Sequence, residues 1–174
     1  MLRRSETGKA QTLADTPTQS FKRRLWRYAP LLIFLIVIYG NSTGAMSASS
    51  TGRILRPLLE TVFGELTIDQ FLFAQLIVRK LAHLTQYAVL GVLAARAFFT
   101  SSRSWLQHYW FIAAMILVAA CAALDEYHQS MIPSRTGTPY DSLIDIAGGT
   151  GALVLIASWR RFRHRRKLRK LPAR

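Results

Sequence analysis

The sequence predicts an all-α integral membrane protein, a bundle of four membrane-spanning helices with both termini in the cytoplasm. Apolar residues make up 51% of the 174-residue chain and charged residues only 18%, whereas roughly 25% of an ordinary soluble domain is charged. The formal net charge is nevertheless +14, and sixteen of the 23 Lys and Arg residues lie within the first 27 or last 15 positions. The middle of the chain is therefore an apolar body between two basic ends, a pattern that argues against a soluble nucleic-acid-binding domain.

Four segments of the apolar body are suited to cross a membrane, because a helix needs about 20 mostly apolar residues to span the hydrocarbon core. The third segment contains no Asp, Glu, Lys or Arg, whereas the second and fourth carry ionisable groups toward one end. The stretch before the first apolar run is too long for the n-region of an ordinary signal peptide, so this segment is predicted to remain as a span. The predicted spans comprise residues 25–41, 81–99, 105–124 and 141–159.

Lys and Arg residues concentrate on one side of these spans, and the side of a membrane protein that is rich in them is the cytoplasmic one. Four spans place both termini and the short loop 100–104 on the same side. Apart from Arg96 inside the second span, that side holds seventeen basic residues and the opposite side five. We therefore predict a multi-pass protein of the cytoplasmic (inner) membrane with both termini in the cytoplasm.

Three parts of the chain follow from this topology: a disordered basic tail (1–24), a four-span membrane domain (25–159) and a basic cytoplasmic tail (160–174). The first 20 residues are mixed polar, which is typical of a disordered segment. The C-terminal basic run directly follows a span, where such runs contact anionic lipid headgroups. Membrane lipids are therefore the predicted partners of the tails and nucleic acid is not, while a homo-oligomer is compatible with the sequence.

Two local patterns concern helix length and helix packing. Residues 66–78 either lie in the membrane interface or extend the second span. The extension is favoured because residues 68–99 contain no proline, and no glycine before Gly91. Small residues four positions apart predict close packing of the third and fourth spans. The pairs in question are Ala119 with Ala123, Ala147 with Gly151, and Gly148 with Ala152.

Polar residues gather at the outer ends of the second, third and fourth spans, all at about the same predicted depth. Within each span they recur every three or four positions, which places them on one helix face. Three basic side chains nearly balance four acidic ones. We predict that these residues form a binding site, named the polar cluster here, that consists of Arg79, Lys80, His83, Tyr87, Asp125, Glu126, Gln129, Arg135, Asp141 and Asp145.

Two interpretations of the polar cluster stay open, because a charge deep in a span costs about 2.5–3.5 kcal/mol on insertion scales and has to be paired, protonated or hydrated. The cluster is either a structural clasp between short spans or a pocket open to the outer leaflet. In a pocket, His83 with Asp125 or Glu126 is a candidate for acid–base catalysis, or the cluster binds a lipid headgroup. Together with His128 these side chains also offer metal ligands, but their spacing fits no standard metal motif, so no metal or other cofactor is predicted.

Two blocks of residues, in this order, carry a family resemblance. The first is Arg79-Lys80-Leu81-Ala82-His83-x3-Tyr87-x2-Leu90-Gly91, and the second is Asp125-Glu126-x2-Gln129-x5-Arg135-x-Gly137-x3-Asp141-x3-Asp145-x2-Gly148-x2-Gly151. They resemble the VanZ-like family, which are small four-span bacterial membrane proteins, and the resemblance covers about residues 30–157. The segment Ile38-Tyr39-Gly40-Asn41-Ser42 also resembles the end of the family's first span. Gln86 stands where the family often has an acid, and Asp145 where asparagine is common.

The resemblance implies a four-span fold and a role at the cell envelope. The family's name-giving member lowers sensitivity to teicoplanin, a lipoglycopeptide that acts on cell-wall precursors outside the membrane. The first hypothesis is therefore binding of an outer-leaflet lipid or a lipid-linked cell-wall precursor, with lowered glycopeptide sensitivity. The second is an integral-membrane enzyme acting on a lipid-linked substrate, and the third is a structural or assembly protein whose polar cluster is only a clasp. The resemblance carries no reaction, so the choice between enzyme and binding protein stays open.

Overall fold

The computed structural model describes residues 17–42, 48–131 and 139–169, and within these ranges the only regular secondary structure is helical. The described part of the chain begins at Pro17, inside the predicted N-terminal tail. Residues 1–16 of that tail lie outside the described residues. In chain order the described helices are α1 (Pro17–Ser42), α2 (Ala48–Phe63), α3 (Ile68–Phe99), α4 (Ser104–His108), α5 (Trp110–Ser130) and α6 (Pro139–Leu168).

Four of these helices are long and apolar enough to cross a membrane. They contain the stretches Phe21–Ser42, Ile68–Phe99, Trp110–Ser130 and Tyr140–Lys167. Large apolar side chains such as Ile36, Ile116 and Leu155 lie exposed on the surface of the bundle, which suits a surface that contacts lipid and not water. The predicted all-α bundle with four helices of spanning length is therefore confirmed.

Helix α3 is a single element of 32 residues, which confirms that the segment before the second predicted span extends it. Its start is fixed by a capping box at Thr67: the backbone N–H of Gln70 donates to the Thr67 hydroxyl, and the Gln70 side chain accepts from the Thr67 N–H. Two donors that would otherwise be unpaired at the helix start are satisfied in this way. The helix therefore carries Arg79, Lys80 and His83 in its middle and not at its first turn.

The third span lies further along the chain than its hydropathy predicted. Residues 104–108 form the separate short helix α4, and α5 begins only at Trp110 and continues to Ser130. The buried face of α5 repeats every three or four residues through Ala114, Val118, Ala122, Asp125 and Gln129. The acidic residue and the amide of this face are consequently packed inside the bundle and do not lie in a loop.

Helix α2 is absent from the sequence-based prediction. Its first turn is rich in Ser, Thr and Gly, but from Ile54 onward it places Ile54, Leu58 and Val62 four residues apart on one exposed face. The helix ends at Phe63 and is followed by Gly64, whose φ of 79° is a backbone conformation that glycine adopts without strain. Among the described helices, α2 packs only against α3.

Helix α3 is the centre of the fold, since it contacts every other described helix, and its most extensive contact is with α6. Glycines make this approach possible. A Cβ added at Gly91 would lie 2.8 Å from the carbonyl oxygen of Gly149, and one added at Gly148 would overlap the Leu84 backbone. Two of the predicted packing pairs are wrong, because Ala123, Ala147 and Gly151 are exposed. The buried stripe of α6 runs instead through Gly148, which meets α3, and Gly149, where an added Cβ would overlap the Val118 side chain of α5. Helix α6 therefore packs closely against α5 as well as α3.

The two ends of the bundle differ in chemistry. At one end, the basic end, the Tyr28 hydroxyl lies 2.8 Å from that of Ser101, and the Arg160 guanidinium stacks 4.4 Å from the ring centre of Phe99. The start of the first span and the late part of α6 therefore lie at the same end. At the opposite end, the polar end, polar side chains from α1, α2, α3, α5 and α6 meet.

Candidate functional site

The polar end contains nine of the ten predicted residues of the polar cluster, and the tenth, Arg135, lies outside the described residues. The nine occupy three helices: α3 supplies four of them, α5 three and α6 two. Two depths are visible within the cluster. A rim pair is partly exposed, and an inner group is buried between the helices.

The rim pair joins α3 to α6 by an ion pair. The Lys80 Nζ lies 3.1 Å from the Asp141 Oδ1, and the two side chains are 39% and 21% exposed. This contact is the pairing that the charge balance of the polar cluster required. Glu126 also belongs to the cluster, but it forms no ion pair with any described residue.

The inner group is organised around His83. Its Nδ1 lies 3.2 Å from Oδ1 of Asp145, and the Asp145 side chain is only 4% exposed. The carboxylate partner of His83 is therefore Asp145, and neither Asp125 nor Glu126, which the sequence had suggested, takes that position. His83 on α3 is therefore held in place by Asp145 on α6. This pair lies about one helical turn deeper in the bundle than the rim pair.

Asp125 and Gln129 form the α5 side of the inner group. The Gln129 Nε2 donates to Oδ2 of Asp125 at 3.0 Å, as expected for residues one helical turn apart. The other oxygen of each side chain, Asp125 Oδ1 and Gln129 Oε1, is buried and has no hydrogen-bond partner among the described residues. Burying an acceptor without a partner is costly, so these two atoms indicate a missing donor or cation.

Two further buried donors lie in the inner group. The Tyr87 side chain is fully buried, and neither its hydroxyl nor the Nη2 of Arg79 has a hydrogen-bond partner among the described residues. A guanidinium with an uncommitted N–H is a strong donor for a phosphate or carboxylate. The inner group therefore offers one cationic donor and two acceptors to a ligand.

These side chains surround a cavity of about 180 Å³ at the polar end. Helix α3 contributes Arg79, His83 and Gln86, α5 contributes Asp125 and Gln129, and α2 covers one side with Thr51. At about 30 Å³ per water molecule in the liquid, the volume corresponds to roughly six waters. The cavity is large enough for the polar part of a headgroup, and its lining supplies charged and amide side chains beside apolar ones.

The end of α1 completes the cavity wall, and sequence reasoning missed it. The Asn41 Nδ2 donates to Oε1 of Gln86 at 3.1 Å, and the Ser42 Oγ lies 3.0 Å from Nδ1 of His128. The ring of Tyr39 stacks on that of His128 at 5.1 Å. The available signal was the polar end of the first apolar run, in a segment already noted for its family resemblance.

An open groove of about 500 Å³ runs along the surface between α1 and α3. Apart from its polar end it is apolar, with Phe34, Val37 and Val89 among its lining residues. At its polar end the groove adjoins the cavity, since the same four side chains line both. These four residues are Asn41, Val78, Ala82 and Gln86.

The fold and this site define a multi-pass helical membrane protein with a polar cavity at one end of the bundle. A comparison with protein families matches residues 25–160 to the family described as VanZ/LLP1. The chain belongs to this family, which confirms the resemblance drawn from the two sequence blocks. No curated protein and no solved structure gives a significant match.

Proposed function

We propose that the protein binds a lipid of the outer leaflet, with the headgroup in the polar cavity and a hydrocarbon chain in the groove between α1 and α3. The observation that carries the proposal is the shared lining of the cavity and the groove by Asn41, Val78, Ala82 and Gln86. A lipid fits both spaces, because its polar headgroup is joined directly to an apolar chain. A fully polar ligand would occupy the cavity but would not fill the apolar groove beside it.

The orientation of the bundle supports an outer-leaflet ligand. Basic residues crowd the end of the bundle where α1 begins and α6 ends, and the cytoplasmic side of a membrane protein is the basic one. The polar cavity then opens toward the outer leaflet. Fusion of green fluorescent protein after residue 169 is expected to fluoresce, and alkaline phosphatase inserted at residue 65 is expected to be active. The reverse pattern would place the cavity in the cytoplasm.

The unpaired atoms of the cavity favour a headgroup that combines a phosphate with hydroxyl or amino groups. The uncommitted Nη2 of Arg79 suits a phosphate oxygen. The free oxygens of Asp125 and Gln129 suit hydroxyl or amino donors. Lipid-linked cell-wall precursors carry this chemistry, as do phospholipids such as phosphatidylglycerol. Shielding such a precursor would lower sensitivity to teicoplanin, which is the effect associated with the family's name-giving member.

The direct test is to identify the lipids that remain with the protein. The chain is extracted from bacterial membranes in polymer nanodiscs without detergent, and its lipids are compared with those of the bulk membrane by mass spectrometry. We expect one phosphate-containing class to be enriched by the wild type. Ala82→Phe, which fills the junction of cavity and groove, is expected to abolish the enrichment. Ala123→Phe makes the same change at an exposed alanine of α5 and is the matched control.

Two outcomes would contradict the proposal: a wild type without any enriched class, or Ala82→Phe with the same enrichment as Ala123→Phe. Resistance is tested separately in a Gram-positive host. We expect the wild type to raise the teicoplanin concentration that stops growth, and Ala82→Phe to lose this effect at equal abundance. Enrichment without protection would limit the function to lipid binding.

A second candidate is an integral-membrane enzyme, and the pair of His83 with Asp145 favours it. A histidine held by a carboxylate is a common acid–base arrangement, and this one faces the cavity. The enzyme hypothesis requires turnover of a lipid-linked substrate by protein in nanodiscs, lost in His83→Ala. Binding without turnover would support the lipid-binding proposal and contradict the enzyme hypothesis.

A further inference from the structure

His83, Asp125 and Asp145 bring one ligand atom each to within 4.8 Å of one another. The three residues come from α3, α5 and α6, so no local sequence motif indicates that they lie together. We propose that they bind a divalent metal ion of the zinc or manganese type at the inner end of the polar cavity. The inference does not require the proposed lipid, because metal binding is measurable without it.

The spacing of the three side chains fits a metal centre with small side-chain adjustments. Nitrogen and oxygen ligands lie about 2.0–2.2 Å from zinc, so two ligands of a tetrahedral site are about 3.4 Å apart. The separation of 3.2 Å between His83 Nδ1 and Asp145 Oδ1 is close to that value. Asp125 completes the set from the opposite helix, within the 4.8 Å limit.

An independent observation indicates a missing cation at this place. Asp125 is only 6% exposed and Gln129 only 2%, yet Asp125 Oδ1 and Gln129 Oε1 have no hydrogen-bond partner among the described residues. Both side chains line the cavity. A buried acceptor without a partner is unfavourable, and a metal ion bound by Asp125 would supply the partner that its Oδ1 lacks.

The charge of the ligand set also matches a divalent ion. Two carboxylates with one neutral imidazole carry a charge of −2, which a divalent cation cancels. The nearby cations do not take this role in the described structure: Lys80 pairs with Asp141 at the rim, and Arg79 forms no ion pair with a described residue. A set of one imidazole and several oxygens favours zinc or manganese over copper(I) or an iron–sulfur cluster, which prefer thiolates.

The site would keep a coordination position on its cavity side. Catalytic and ligand-binding metal sites have three protein ligands and one exchangeable position. Water or a phosphate oxygen is the natural occupant of such a position.

The test measures metal binding by the full chain. The protein is purified with a tag that lacks histidine, stripped with EDTA, placed in phosphatidylcholine nanodiscs and titrated with Zn²⁺ or Mn²⁺ by calorimetry. We expect one ion per chain for the wild type. His83→Ala and Asp125→Ala are expected to weaken binding by at least about tenfold. His108→Ala and Asp69→Asn remove the same kinds of side chain outside the polar cluster and are expected to bind as the wild type does.

A second measurement needs only the wild type, in case a triad variant fails to fold. Diethyl pyrocarbonate modifies accessible histidines, and mass spectrometry locates the modified positions. We expect Zn²⁺ to protect His83 and to leave the modification of His108 and His164 unchanged. The proposal is overturned if the wild type binds neither ion stoichiometrically. Equal binding by the triad and control variants, or modification of His83 that is indifferent to Zn²⁺, would overturn it as well.

Discussion

The Lys80 ammonium lies 3.1 Å from the Asp141 carboxylate, one helical turn from the place where His83 meets Asp145. Both pairs connect α3 to α6, but their surroundings differ. The rim pair is partly exposed and does not line the cavity, whereas the inner pair is more buried and His83 lines the cavity. The two interpretations of the polar cluster therefore apply to different members: the rim pair suits a clasp, and the inner group suits a pocket.

Removal of the rim pair is expected to cost little. Because both side chains are partly exposed, Lys80→Ala should lower the free energy of unfolding by at most about 1 kcal/mol. Thermal unfolding of Lys80→Ala, Asp141→Ala and the double variant in detergent measures this contribution as a double-mutant cycle. Lipid enrichment should persist in Lys80→Ala. A loss of enrichment as complete as that of Ala82→Phe would show that the rim belongs to the binding site.

The contact of α3 with α6 gives a sharper stability prediction. A Cβ at Gly148 would overlap the Leu84 backbone, whereas a Cβ at Gly151 meets no heavy atom within 4 Å. Gly148→Ala should therefore destabilise the bundle by about 1–3 kcal/mol, as overpacking generally does. Gly151→Ala should be neutral or stabilising by up to about 1 kcal/mol, because alanine favours a helix over glycine.

The single cysteine, Cys121, provides the measurement. It is partly buried in α5, so a thiol-reactive fluorophore reports its exposure as the bundle unfolds on heating. The unfolding temperature of Gly148→Ala should fall, and that of Gly151→Ala should not. Equal behaviour of the two variants would mean that α3 and α6 do not approach at Gly148.

Hydropathy was sufficient for the four long helices, because a span is defined by its own length and composition. Helix α2 was missed because it begins with Ser, Thr and Gly residues, and its apolar face starts only at Ile54. Small-residue spacing predicted that α6 packs closely against α5, which it does, but it did not indicate that the most extensive contact of α6 is with α3. The side of a helix that faces a given partner depends on its rotation in the bundle, which no local pattern records.

The same limit applies to the site. Spacing placed the residues of the polar cluster on common helix faces, which is local information. The pairing of His83 with Asp145, and of Ser42 with His128, joins residues more than sixty positions apart. Such contacts follow from the relative depth and rotation of whole helices. The contribution of α1 was therefore invisible, although its polar residues stand at the end of the first apolar run.

Helix α2 is expected to lie in the membrane interface. Its exposed face carries Ile54, Leu58 and Val62, and an apolar face on a short helix beside the spans is stabilised by contact with the headgroup–acyl boundary. The opposite side carries Arg53 and Arg56. Because Thr51 lines the cavity, an α2 anchored in this way would hold the cavity wall in place.

Spin labels test this arrangement in a Cys121→Ala background. A label at Leu58→Cys should be more accessible to oxygen, which partitions into lipid, than to a water-soluble nickel complex. A label at Arg53→Cys, on the other side of the same helix, should show the reverse preference. Equal accessibility at the two positions would mean that α2 is not oriented by the membrane.

The neighbouring residues Arg79 and Lys80 provide the most discriminating test of headgroup binding. Arg79 lines the cavity with an uncommitted Nη2, whereas Lys80 is engaged with Asp141 at the rim. A hydrogen bond to a charged group contributes about 1.5–3 kcal/mol. Since 1.4 kcal/mol corresponds to a tenfold change in affinity, Arg79→Gln should weaken binding of an anionic headgroup by about tenfold or more.

Lys80→Gln removes the same charge one residue away and should leave the affinity unchanged. Native mass spectrometry of both variants, titrated with phosphatidylglycerol in a phosphatidylcholine background, measures the difference. Equal losses in the two variants would mean that the polar end attracts anionic lipid only through its overall charge. If neither variant loses affinity, Arg79 does not hold the phosphate. A selective loss in Arg79→Gln would place the phosphate inside the cavity, because the two positions differ there in contact and not in charge.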